Sequence, residues 1–338
     1  MAAIVVLLLV LTAEVSLRVY HQRTARAKLP SELRAETRAI TWDGIRDKYR
    51  IVCLGDSITF GEDLPYEQSY PGVLADLLRQ KHTGLDVAVI NSGMGGHTAV
   101  RGLARLERDV LWYKPHVVIV AFGINDGHLG HWPLDPIRER RMQGELTAGE
   151  RIDRLLRHSH LYLTLRGRTL RLLRRLGWQP RPIPIDTQRE PQPRVSPAGF
   201  VAAQERLMEG IRRQGCDAVF LATATPVTEA FQTDLGPAQP RQWAVYDQYN
   251  DVIRDVAVRD GAQLVDLHAI FENHAPADPA AQKRGERYSS LLTEDGVHLT
   301  AAGESLVAIS VFKALEDAGL PGSGPYQRRQ RVRRFARL

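Results

Sequence analysis

Five short apolar runs, separated by segments of helical spacing, constrain most strongly what this chain can fold into. The runs are Arg50–Leu54, Val87–Ile90, His116–Phe122, Ala218–Ala222 and Gln263–Leu267. Near-continuous apolar runs of this length suit strands buried on both faces. Between them, Tyr70–Lys81 carries Val73, Leu74, Leu77 and Leu78 at helical spacing. Val100–Trp112, Pro197–Gln214, Trp243–Arg259 and Ala301–Ala318 also read as helices. Strands alternating with helices predict an α/β fold: a three-layer α/β/α sandwich around a doubly wound, five-stranded parallel sheet with right-handed crossovers. Periodicity does not supply the strand order.

The alternation stops between residues 128 and 197, which read as a helical insertion with proline-rich ends. Within it, eight arginines lie among leucines between Arg151 and Arg175. The spacing allows an amphipathic element on an anionic membrane surface, a lid over a cleft, or a helical decoration with a solvated basic face. At the N-terminus, residues 1–20 read as a hydrophobic anchor or signal segment, uncharged from Ala2 to Ala13. Residues 21–48 read as a tether, 49–320 as the main domain and 321–338 as a basic tail. The net charge of +6 matches the six arginines of Gln327–Leu338. The excess charge therefore describes a tail rather than a nucleic-acid-binding domain, and no nucleic-acid partner is expected. The two cysteines, Cys53 and Cys216, sit in or beside apolar runs and read as buried thiols rather than a disulfide.

Chemistry concentrates where the strands end. In an open parallel sheet, ligands bind at the carboxyl ends of the strands. The first run ends in Gly55-Asp56-Ser57, which places a hydroxyl just past a rigid strand. The second ends in Asn91-Ser-Gly-Met-Gly-Gly96 and the third in Gly123-Ile-Asn-Asp-Gly127. Serine-dependent ester cleavage needs a nucleophile, a base and donors for an oxyanion. Ser57 fits the first role. A backbone N–H at Gly93 and the amide of Asn125 fit the third. The base comes from Asp295-Gly-Val-His298, just before the last helix. This spacing lets the carboxylate hold one imidazole nitrogen while the other faces the cleft.

These four blocks, in this order, resemble those of the SGNH/GDSL hydrolase family. The likeness spans about residues 50–130 and 198–318. It implies a flavodoxin-like sheet and a triad of Ser57 as nucleophile, His298 as base and Asp295 as orienting acid. It also implies an oxyanion hole made of the Ser57 N–H, the Gly93 N–H and the Asn125 side chain. No cofactor and no metal is implied. Asp126 is expected to shape its loop through backbone hydrogen bonds, and His268 to be structural. His97 and His128 fall near the cleft without a motif to assign them a role.

Three readings follow. The leading one is a membrane-tethered serine esterase or lipase-like acyl hydrolase facing the periplasm or exterior, acting on a small-molecule, lipid or glycan ester. The second is an acyltransferase or deacetylase on cell-surface polysaccharide, using the same acyl-serine. The third is a non-enzymatic membrane-surface protein built on the arginine-rich segments. The oligomeric state is not legible.

Overall fold

The structure, a computed structural model, describes residues 32–130, 190–231, 242–275 and 284–321, with isolated positions between 10 and 16 and between 148 and 176. The chain divides into two compact units: Glu32–Trp132 with Gln188–Leu338, and Met1–Ser31 with Pro133–Thr187.

The larger unit holds the sheet. Its strands are β1 (Tyr49–Gly55), β2 (Val87–Gly93), β3 (Val117–Ala121), β6 (Ala218–Ala222) and β7 (Gln263–Val265). They lie in the order β2-β1-β3-β6-β7, and every pairing is parallel. A short antiparallel pair, β4 (Leu129–Gly130) and β5 (Gln192–Pro193), stands apart from the sheet. The helices are α1 (Ala35–Ala39), α2 (Trp42–Ile45), α3 (Ser57–Phe60), α4 (Tyr70–Lys81), α5 (Ala99–Asp109), α6 (Ile124–Gly127), α7 (Pro197–Arg213), α8 (Gln242–Arg259), α9 (Leu267–His274), α10 (Arg284–Arg287) and α11 (Ala301–Asp317).

Successive strand residues point to opposite faces, so each central strand feeds two cores. Ile51, Cys53, Val117, Ile119 and Phe220 join Leu74 and Leu78 of α4 and Val307, Val311 and Leu315 of α11 in one of them. Val52, Leu54, Val118 and Val120, all buried, alternate to the other face. There α5 packs against α7, and α7 against α8. β1 is buried along its whole length, which makes the platform under its last residue rigid. Both cysteines are free, and burial pushes the Cys53 thiol up to about 12.

The stretch expected to be a tether is, from Leu33 onward, part of this unit. Leu33, Thr37 and Ile45 are buried, and the Thr37 hydroxyl donates to the Asn91 carbonyl at 2.6 Å. Its polar composition hid a segment that docks through few side chains. In the smaller unit, Glu14 accepts a hydrogen bond from the Leu161 N–H at 3.0 Å. Among the described residues, no helix is long and apolar enough to cross a membrane. Most of the expected anchor, most of the arginine/leucine insertion and nearly all of the basic tail lie outside the described residues.

Candidate active site

β1 occupies the middle of the site edge, between β2 and β3. At its end Asp56 caps α3, with Oδ1 accepting the Ile58 N–H at 3.0 Å. Ser57 is thereby the first residue of α3, where a backbone N–H has no intrahelical acceptor. Neither that N–H nor the Ser57 hydroxyl has a hydrogen-bond partner among the described residues. Arg34 secures the far end of the turn. Its guanidinium donates to the carbonyls of Phe60 at 2.7 Å, Gly61 at 3.1 Å and Leu64 at 2.9 Å. Sequence reasoning missed Arg34 because nothing local distinguishes it from other charges in a polar stretch.

The Gly93 assignment needs correction. β2 runs three residues further than its apolar pattern, so Gly93 is a strand residue paired with Gly55 rather than part of a loop. Its N–H donates to the Asn91 side-chain oxygen at 2.9 Å and is not free to hold an oxyanion. This glycine serves packing instead. A Cβ there would stand 2.2 Å from the Phe60 nitrogen, so only glycine lets the backbone of α3 lie on β2. The N–H groups of Gly95 and Gly96, just beyond the strand, have no partner among the described residues. Gly96 has φ +68, and a Cβ there would meet nothing within 4 Å. The repeated glycine in Gly95-Gly96 was the available signal.

Buried Arg105 ties these two strand ends together. It donates to the Gly55 carbonyl at 2.8 Å and the Ser92 carbonyl at 2.7 Å, and it pairs with Asp109. Its charge, after burial, also holds the neighbouring His97 down to about 4, leaving that ring neutral at neutral pH.

Asn125 arrives from the other side, on α6. One N–H of its amide donates to Asp56 Oδ2 at 3.3 Å, which orients the group and leaves its second N–H available. Asp126 is buried, and both its oxygens accept the Ala99 N–H that opens α5, at 2.9 and 3.2 Å. It therefore shapes the loop, as expected from sequence. Burial pushes its carboxyl up to about 8 despite that hydrogen bond. His268 faces Asp247 at 3.3 Å, and its backbone N–H donates to Thr223.

Asp295 and His298 meet as their spacing predicts. Asp295 Oδ2 lies 2.5 Å from His298 Nδ1. Its other oxygen accepts from the Thr293 hydroxyl at 2.7 Å and from the N–H groups of Val297 and His298, both at 3.0 Å. Burial works against the charge, but these donors outweigh it and hold the carboxyl well below its ordinary range. The loop is carried by Gly296, whose φ of +77 and contact with Thr228 leave no room for a side chain. Asp56 links the two halves of the site. Burial pushes it up to about 6, while Ile58, Asn125 and the charge of His298 pull the other way. Among the described residues, His298 makes no hydrogen bond to the Ser57 hydroxyl.

A five-stranded parallel sheet whose first three strands end in a serine, a glycine loop and an Asn-Asp turn, with an Asp–His pair just before the last helix, is the arrangement of an ester hydrolase with the SGNH fold. The profile of the GDSL-like Lipase/Acylhydrolase family matches residues 53–306, and the chain belongs to that family. The chain is 39% identical over 84 residues to an arylesterase of Vibrio mimicus, a match covering 25% of this chain and 41% of that one. It is 32% identical over 83 residues to thioesterase 1/protease 1/lysophospholipase L1 of Escherichia coli K12, covering 25% and 38%. These matches span about two-fifths of each relative's length. A longer match, 24% identical over 277 residues and covering 76% of this chain and 85% of the other, is to the uncharacterized lipoprotein YqeF of Bacillus subtilis. Among solved structures, the lipase/acylhydrolase of Enterococcus faecalis is 21% identical, covering 80% of this chain and 96% of that one at a TM-score of 0.47.

Proposed function

We propose that the chain is a serine carboxylic ester hydrolase. The contact of Asp295 with His298, together with Ser57 at the head of the helix that follows β1, carries this reading. His298 Nε2 takes the Ser57 proton as Oγ attacks the ester carbonyl, and Asp295 holds the other ring nitrogen and steadies the imidazolium. The oxyanion is met by the Ser57 N–H, the free N–H of Asn125 and an N–H from Gly95–Gly96 in place of Gly93. Collapse breaks the ester C–O bond, and His298 returns the proton to the departing alcohol. Water, deprotonated by the same ring, then releases the acid and regenerates Ser57. The reaction requires Ser57 Oγ and His298 Nε2 to come within hydrogen-bond reach, a contact that in apo sites often tightens only with substrate bound. A fluorophosphonate should label Ser57, and p-nitrophenyl acetate turnover should vanish in Ser57→Ala and His298→Ala. Full activity in Ser57→Ala would end the proposal.

The protein works at a membrane surface in this reading. Support comes from the apolar N-terminal sequence and from Ile152, Leu156, Leu165, Leu172 and Leu176, which are exposed in an arginine-rich segment. Co-sedimentation of the full chain with anionic but not neutral liposomes tests it; equal recovery with both would remove the electrostatic part.

A further inference from the structure

Three rings stand between the two loops of the site. His128 follows α6, three residues after Asn125. Its imidazole meets the ring of Phe231 at a centroid distance of 5.0 Å and an angle of 43°. The Phe231 ring in turn lies near parallel to that of Tyr246, at 6.4 Å. Tyr246 Oη is 3.4 Å from His128 Nδ1, which closes the trio.

Both flanks of this wall rest on the catalytic loops. Phe231 ends a 3-10 turn, Glu229–Phe231, and its backbone nitrogen would stand 3.1 Å from any Cβ at Gly296, between Asp295 and His298. The ring of Tyr246 would stand 3.0 Å from a Cβ at Gly127, two residues past Asn125. Burial and then the Asp56 carboxylate push the Tyr246 phenol well above its ordinary value, so the ring is un-ionised. Tyr246 is buried, whereas His128 and Phe231 keep part of their surface in solvent. Burial and the nearby Arg194 also favour the uncharged form of His128.

We propose that Phe231 and His128 form a ring-binding subsite that selects esters carrying a flat ring beside the scissile bond. The inference rests on the hydrolase reading above. An alkyl group on this wall gains only the area it buries. A flat ring adds offset or edge-on contact with Phe231 and the neutral imidazole, about two- to twelvefold in affinity per ring pair. The ring can belong to the alcohol or to the acid, and the substrates below separate the two.

The test compares kcat/KM for phenyl acetate, methyl benzoate and ethyl acetate in the full chain and in Phe231→Leu, Phe231→Ala and His128→Ala. Leucine keeps apolar bulk without a ring, and the thermal midpoint of each variant is recorded. In Phe231→Leu, the ratio of the preferred ring ester to ethyl acetate should fall about two- to twelvefold, mainly through KM. A fall of less than twofold for both ring esters in all three variants overturns the subsite while leaving the hydrolase reading standing. A wild-type chain that turns over none of the three esters and is not labelled at Ser57 overturns both.

Discussion

Replacing Asp295 by asparagine separates what holds the His298 loop from what prepares its ring. Asp295 Oδ1 accepts three hydrogen bonds, at 2.7, 3.0 and 3.0 Å. An asparagine oxygen in the same place keeps all three, so the loop stays folded. The change falls on Oδ2, which faces His298 Nδ1 at 2.5 Å. An amide NH2 there can only donate, so the ring must turn a lone pair toward it and carry its proton on Nε2. In the proposed mechanism, Nε2 is the nitrogen that accepts the Ser57 proton. The imidazolium also loses its counter-charge, worth about 1 kcal/mol at 4 Å in bulk water and about 4 at an effective dielectric of 20. The Asp295 side chain is 47% exposed, which places the value toward the lower figure. That accounts for about tenfold in rate. The wrong tautomer supplies the larger share, for a total loss in kcat of about 10³- to 10⁴-fold. p-Nitrophenyl acetate hydrolysis measures it, with the thermal midpoint recorded alongside. A kcat within tenfold of wild type at an unchanged midpoint would refute the reasoning, because charge alone would then explain the carboxylate.

Other outcomes follow from the same geometry. Asn125→Ala should lower kcat by about 10²- to 10³-fold in single-turnover ester cleavage; a loss under threefold would take the amide out of the oxyanion hole. Arg34→Met leaves three carbonyls around α3 without their charged donor and should destabilise the fold by about 3 kcal/mol in urea titration, with kcat falling as the Ser57 turn loosens; an unchanged midpoint would show that water replaces the guanidinium. Glu304 is buried, accepts the Tyr70 N–H at 2.6 Å and is pushed from its ordinary 4.5 up to about 8 by burial, against that hydrogen bond. The folded protein therefore holds this proton more tightly than the unfolded chain, so its contribution is complete below about pH 4.5 and lost as pH rises through 8. Stability of wild type relative to Glu304→Gln should accordingly decline between pH 5 and 8.5, and a pH-independent difference would argue against the shift.

Local order in the chain determined the elements and much of the chemistry. Five apolar runs between helical segments specify a parallel α/β sandwich because strands buried on both faces cannot alternate with polar residues. The Asp295–His298 spacing places the pair in contact because the two residues share one tight loop. Gly93 and Arg34 mark where that reasoning ends. Whether a glycine's N–H faces a cleft or a neighbouring side chain depends on how far a strand continues beyond its apolar pattern, which pairing with β1 decides. Arg34 matters only because three carbonyls from residues 60–64 converge on it, and His128 joins the rings of Phe231 and Tyr246 only through contacts more than 100 residues apart in the chain. Such features follow from long-range packing, which no local pattern encodes.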